Sequence, residues 1–238
     1  MKKIILLIFT TISLFSYDAP YDLEKFENTL NNSKLQAPLS RYNPRWSTKY
    51  GDFENFANRY FYLKDSKYMV FSVCKKSHRS ELRERDEWRV STKTKKILDA
   101  TLKLLVKKSK KEFTFLQIHP NPDKPGKRYT TYINKPLLRI AWRRNYRSKK
   151  DHIWAIIRTD IDPFSKNYIK IDLGKRNKSF FHIKIEVLEN HLKIYLNHTL
   201  KVDFDISYWK NISNYFKAGV YMQDNGCAKV IFDRLNMI

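Results

Sequence analysis

From about residue 33 onward the chain is a succession of short runs that are β-rich or alternate apolar with polar residues, and this period of two restricts it to β-structure. The runs are Arg59 to Leu63, Tyr68 to Cys74, Trp88 to Ser91, Ala100 to Val106, Phe113 to His119, Tyr129 to Ile133 and Leu137 to Trp142. They continue with Ile153 to Thr159, Tyr168 to Leu173, Phe180 to Leu188, Leu192 to Leu196, Leu200 to Phe204, Tyr215 to Tyr221 and Lys229 to Leu235. About fourteen strands separated by turn-length gaps predict an all-β sandwich. With only 5 Gly, the turns must rely on Asn, Asp, Ser and Lys, as at Glu189-Asn190 and Asn197-His198. Ahead of the strands, Leu23, Phe26 and Leu30 are spaced for a short helix over 22–30. No linker or internal repeat divides the chain. One domain is expected over 33–238, with a short N-terminal extension over 17–32.

The first residues are of another kind. Lys2 and Lys3 precede the apolar run Ile4 to Phe15, which ends in Ser16 before Tyr17 and Asp18; this is the pattern of a secretory signal peptide over 1–16. That run is too short to span a bilayer, and no later stretch reaches the roughly 20 apolar residues a spanning helix needs. A secreted or periplasmic protein without membrane insertion is expected. The formal net charge is +23, and removing 1–16 takes away two Lys and no acid, leaving 23 − 2 = +21. Such a charge favours a polyanionic partner: nucleic acid, an anionic membrane surface or an acidic polysaccharide. Export argues against an intracellular nucleic-acid role. It also permits a Cys74–Cys227 disulfide, although two Cys give no spacing pattern and separate buried thiols fit equally well. Two stretches are conspicuously basic, Pro120 to Arg128 with Lys124, Lys127 and Arg128, and Arg143 to Lys150 with Arg143, Arg144 and Arg147.

Residues i, i+2 and i+4 of a strand share a face, and three segments use that period for polar groups. Arg79, Glu81 and Arg83 project together, as do Gln117 and His119, and as do Tyr215, Lys217 and Tyr221 with Gly219 between them. A glycine inside an otherwise strong strand marks a bulge or a close approach by a ligand or another chain. Each segment alone fits an ordinary exposed sheet face. Together, Arg, Gln, His, Lys and Tyr on one sheet can grip a carboxylate and move protons. The five other histidines show no metal-ligand spacing with Cys or acids, so no metal is expected.

Arg79-Ser80-Glu81-Leu82-Arg83-Glu84, Gln117-Ile118-His119 and Tyr215-Phe216-Lys217-Ala218-Gly219-Val220-Tyr221 resemble, in the same order, the three signature segments of the alginate lyases of polysaccharide lyase family seven. The resemblance spans roughly 35–238. It implies a jelly-roll β-sandwich like concanavalin A, with a concave groove for a uronic-acid polymer. It also implies β-elimination of the 1,4-glycosidic bond, without a metal or organic cofactor. One departure is visible: after Tyr221 the family continues with Asn-Gln, whereas this chain has Met222-Gln223.

Elimination must take the C5 proton of a uronate, which is too weakly acidic while the adjoining carboxylate keeps its charge. By the resemblance, Arg79 and Gln117 bind that carboxylate, and an Arg fork with an amide donor stabilises the enolate-like charge. Glu81 orients the arginines. His119 accepts the proton and Tyr221 donates one to the departing O4; for the epimeric uronate the tyrosine serves as both base and acid. Lys217 and Arg83 are the expected source of positive field at Tyr221, and Lys124, Arg128 and Arg143, with their basic neighbours, are expected at the groove rim. In the family, Ile in the Gln-x-His segment accompanies guluronate-containing substrates.

The expected function is therefore a secreted, endolytic, monomeric alginate lyase producing unsaturated oligosaccharides. Two other classes are also considered: a non-catalytic lectin-like module for acidic polysaccharides and an extracellular nucleic-acid binder. A lyase for another polyuronate, such as glucuronan, shares the same chemistry. A binder has no need of a proton donor, and the chain carries no nucleic-acid motif.

Overall fold

The computed structural model describes residues 17–39, 45–121 and 133–238. Among the described residues one α-helix, α1 (Glu24–Asn31), precedes fourteen strands: β1 (Ser33–Gln36), β2 (Phe61–Lys64), β3 (Tyr68–Cys74), β4 (Arg79–Glu84), β5 (Lys96–Leu105), β6 (Glu112–Pro120) and β7 (Leu138–Tyr146). The second half supplies β8 (Lys149–Arg158), β9 (Tyr168–Lys175), β10 (Phe181–Leu188), β11 (His191–Leu196), β12 (Thr199–Asp205), β13 (Asn214–Met222) and β14 (Cys227–Met237). Every pairing is antiparallel, and the strands form two seven-stranded sheets, β1-β4-β13-β6-β7-β8-β9 and β12-β11-β10-β5-β14-β3-β2. The expected all-β jelly-roll sandwich is the observed one.

Alternation makes the core. Leu82, Phe216, Ala218, Val220, Leu116, Ile118 and Ile140 from the first sheet, with Phe71, Leu98, Leu102, Ile183, Val230 and Phe232 from the second, have no exposed surface. Their parity leaves Arg79, Glu81, Gln117, His119, Lys217 and Tyr221 on the other side of the first sheet. The glycine-poor hairpins close as expected on Glu189-Asn190 and Asn197-His198, and a further one on Arg147-Ser148, each pair with positive φ at both residues. Helix α1 buries Phe26 and Leu30 completely, and its Thr29 hydroxyl donates to the Leu235 carbonyl at 2.7 Å, tying the segment before residue 33 to the last strand.

Trp88 to Ser91 is not a strand. It makes only the single bridge Trp88–Asn214, and its alternation reflects Trp88 and Val90 plugging the core from a loop. Conversely, β1 lies in a polar run, Ser33-Lys34-Leu35-Gln36, that alternation does not single out. The expected strand Tyr129 to Ile133 lies almost wholly outside the described residues. Cys74 and Cys227 are register partners on β3 and β14 and are joined by a disulfide, so the pairing left open by the sequence is made. Closing a span of 153 residues stabilises by up to about 5 kcal/mol in the chain-entropy limit.

Gly219 is a bulge and a close approach at once. Its φ is +141°, the β13–β6 register shifts between Ala218 and Tyr221, and a Cβ built on it would stand 2.2 Å from the Ser80 carbonyl oxygen of β4. Gly219→Ala is therefore expected to destabilise the protein by about 3 kcal/mol, because backbone rather than a flexible side chain must yield. Denaturant unfolding reads this directly. A change under about 1 kcal/mol would show that the close approach does not constrain residue 219.

Candidate active site

Three strands meet at the centre of the first sheet, with β13 lying between β4 and β6. Register sets Lys217 beside Arg83 on one side and Gln117 on the other; Tyr215 is opposite His119, and Tyr221 is opposite Arg79. β13 pairs with β4 without a shift, so Tyr221 stays on the face of Tyr215 and Lys217 although the β13–β6 register slips by one residue between Ala218 and Tyr221. Arg79, Gln117, His119 and Tyr221 thus line one cleft of ≈ 420 Å³, together with Asn134, Lys135, Arg139, Tyr168 and Gln223.

Beneath the cleft floor lies a buried polar cluster. Glu81 and Lys217 are each 1% exposed, and the Lys217 ammonium donates to Glu81 Oε2 at 2.6 Å. Gln117 Nε2 donates to Glu81 Oε1, and Arg79 Nη1 stands 3.6 Å from Oε2. One carboxylate therefore anchors an amide and a guanidinium that face the cleft and an ammonium that does not. Burial, ahead of its partners' charges, lowers the Lys217 pKa to about 8. Lys217, expected beside Tyr221 as a source of positive field, is instead buried beneath the floor and meets the cleft only through its pairing with Glu81.

The cation against Tyr221 is Arg79, whose guanidinium carbon sits 4.7 Å from the ring centroid. Arg83, expected there, instead lies 4.0 Å over the Tyr215 ring and pairs with Glu87 at 2.9 Å. Tyr215 in turn stacks on His119, and its hydroxyl is 3.2 Å from His119 Nδ1. That nitrogen is also 2.8 Å from the Pro120 carbonyl, an acceptor only, so Nδ1 carries the hydrogen and Nε2 the proton-accepting lone pair.

Met222, where the family pattern has Asn, is completely buried in the core, so the departure does not reach the cleft. Gln223 does reach it: its amide nitrogen donates to Thr114 Oγ1 at 2.6 Å, and its buried Oε1 has no partner among the described residues. Ile118, the central residue of the Gln-x-His segment, faces the core and is not exposed, so it touches no ligand.

The rim differs from expectation at Arg143. Lys124 and Arg128 lie outside the described residues. Arg143 does not line the cleft; it pairs with Glu112 at 2.6 Å, packs 4.2 Å from the Tyr146 ring centroid, and borders a separate hollow of ≈ 310 Å³. Arg144 is spent on the Ser109 and Lys110 carbonyls. Among the described residues the cleft has Arg139, 3.2 Å from Glu112, and Lys135, held by the Ser165 carbonyl at 3.0 Å. Tyr168 completes the wall, its hydroxyl accepting from the fully buried Arg158 at 3.1 Å. Arg139 and Tyr168 sit at polar positions of alternating strands, the same signal that marked Gln117 and His119. Among the described residues no group of three or more His, Cys, Asp or Glu side chains is arranged to hold a metal ion.

The family model described as alginate lyase matches residues 28–238. An alginate lyase of Photobacterium sp. (strain ATCC 43367) is 31% identical, with 91% of this chain and 86% of that protein aligned. The solved structure of alginate lyase AlyC3 superposes with a TM-score of 0.81 at 27% identity, covering 94% of this chain and 96% of that one. Alginate lyase A1-II', a member of polysaccharide lyase family 7, shares the fold at 20% identity, with a TM-score of 0.74 over 90% of this chain and 97% of that one.

Proposed function

Because the chain belongs to the alginate lyase family, polysaccharide lyase family 7, and is a polysaccharide lyase, we propose that it cleaves alginate by β-elimination, with Arg79, Gln117, His119 and Tyr221 as its catalytic residues. The observation that carries this reading is their convergence: residues from three strands, far apart in sequence, line one cleft with their proton-transfer and carboxylate-binding groups together. AlyC3 has been solved with dimannuronate, which supports a uronate ligand for this cleft as well.

In this mechanism Arg79 and Gln117 hold the uronate carboxylate, drawing charge from C5. His119 Nε2 takes the C5 proton, the electron pair forms the C4–C5 double bond, the C4–O4 bond breaks, and the Tyr221 hydroxyl protonates O4. Among the described residues the cations that meet the polymer are Arg79, Arg139 and Lys135 rather than those of the β7–β8 hairpin. The cleft lies at interior strands β4, β13, β6 and β7, so a long chain can cross it with sugar on both sides, which supports endolytic action. Export fits the Lys2-Lys3 leader, the disulfide, whose kind persists in oxidising compartments, and the lack among the described residues of any helix long and apolar enough to cross a membrane.

The test is ultraviolet absorbance of the unsaturated product with purified protein and alginate, followed alongside solution viscosity. Endolytic cleavage predicts that viscosity collapses while only a small fraction of bonds is broken. Absorbance that never rises with alginate, despite retained binding, makes the protein a lectin-like module instead. A rise with glucuronan alone reassigns the polymer but keeps the chemistry.

A further inference from the structure

Past the edge of the catalytic sheet lies a second recess, of ≈ 540 Å³, whose lining includes Arg45, Arg59, Lys75 and His78 together with Pro38 and Tyr60. Its place follows from strand register. Tyr221 is paired with Arg79, and the Arg79 amide donates to the Pro38 carbonyl at 3.0 Å, so Pro38 continues edge strand β1 beside Arg79. A chain laid across the strands over Tyr221 and Arg79 next meets Pro38 and then the recess. His78 of the recess and Arg79 of the cleft are consecutive residues, so the two sites adjoin.

The charges there are left uncompensated. No carboxylate occurs among the described residues lining the recess, and Arg45 and Lys75 make no ion pair among the described residues. Among the described residues Arg59 meets only the Tyr60 hydroxyl, at 2.7 Å, and ring, and His78 Nδ1 is 3.1 Å from the Lys76 carbonyl. The other basic hollow differs, since Glu112 lines it and pairs with Arg143. The Lys75 backbone is also fixed: it follows the disulfide-linked Cys74, and its amide donates to Gly226 at 2.9 Å. Like charges gathered on a fixed frame repel one another unless an anion lies among them.

We infer that this recess is an accessory binding site for acidic sugar units of a polymer that leaves the catalytic cleft at the Arg79 end, its cations taking the sugars' carboxylates. The identity of the polymer as an acidic polysaccharide rests on the proposed alginate lyase activity; the need for an anionic ligand rests on the recess itself.

The double variant Arg59→Gln/Lys75→Gln alters two exposed side chains outside the catalytic cleft. Two measurements decide the matter: binding of long alginate to the protein in a Tyr221→Phe background, by calorimetry, and steady-state turnover of long alginate against a trisaccharide. The Kd and KM for the polymer should rise about fivefold to tenfold, with a shallower salt dependence, while trisaccharide kcat/KM stays within about twofold. Unchanged polymer binding, or equal losses on polymer and trisaccharide, overturns the inference. Binding in the inactive background needs no turnover. A wild type that yields no unsaturated product while the double variant still weakens polymer binding therefore refutes the lyase reading and leaves the recess standing.

Discussion

Tyr221→Phe should lower turnover of alginate by about 10²–10⁴-fold with stability and polymer affinity near those of the wild type. The substitution removes one hydroxyl. Among the described residues that hydroxyl makes no hydrogen bond, and the ring's contact with the Arg79 guanidinium is one phenylalanine can also make. The fold therefore loses nothing in the exchange, whereas elimination loses the group placed to protonate the departing O4. His119→Ala should fall by a similar factor, with some added cost to structure, because its ring also stacks on Tyr215 and bonds the Pro120 carbonyl. The paired measurements are initial rates of unsaturated product and thermal unfolding. Near-normal turnover in either variant removes that residue from the mechanism. A Tyr221→Phe protein that unfolds markedly earlier would instead show that the hydroxyl serves the fold.

The motifs exposed the cleft because its residues sit two apart on strands, and parity is a local property. Arg79, Gln117, His119 and Tyr221 could be assigned to one face without knowing which strands are neighbours, and their clustering in one cleft agrees with that assignment. What remained hidden is non-local. Arg139 and Tyr168 enter the cleft only because β7 pairs with β6 and β9 with β8, which no short segment encodes. Lys217 reads as an outward residue and lies on the outward side, yet Glu81, Arg79 and Gln117 cover it; depth under neighbouring side chains is invisible to a period-two pattern. The same holds for Arg143, an exposed cation by sequence and a partner of Glu112 by register. Trp88 and Val90 show the opposite failure, since burial alternates in a loop as readily as in a strand.

Removing the carboxylate under the cleft should cost both stability and activity, by separable routes. Glu81→Ala leaves the fully buried Lys217 ammonium without its partner, and breaking a buried pair from one side costs about 3–5 kcal/mol. It also releases Gln117 and Arg79, whose misplacement by about 1 Å is enough for roughly a 10²-fold loss of kcat/KM. In Glu81→Gln/Lys217→Met neither member of the pair is charged, so most of the stability should return while activity does not. A double variant that regains activity would show that the carboxylate is not what positions the cleft residues. The pair also has a pH signature. Burial depresses the Lys217 pKa from its unfolded value of 10.5 to about 8, so between those values the unfolded chain binds the extra proton. This group's contribution to stability therefore grows as pH rises through that window, is complete above the unfolded value, and is lost as pH falls through about 8. Activity should run the other way. With Lys217 protonated, Arg79, Glu81 and Lys217 sum to one positive charge beneath the substrate carboxylate; deprotonation reduces that sum to zero. The alkaline limb of kcat/KM should therefore begin near pH 8 and be carried by substrate affinity, and Lys217→Arg, which keeps its charge, should move the limb upward. A limb that stays in place in Lys217→Arg, with the fold intact, assigns it to another group and leaves Lys217 a structural partner of Glu81 alone.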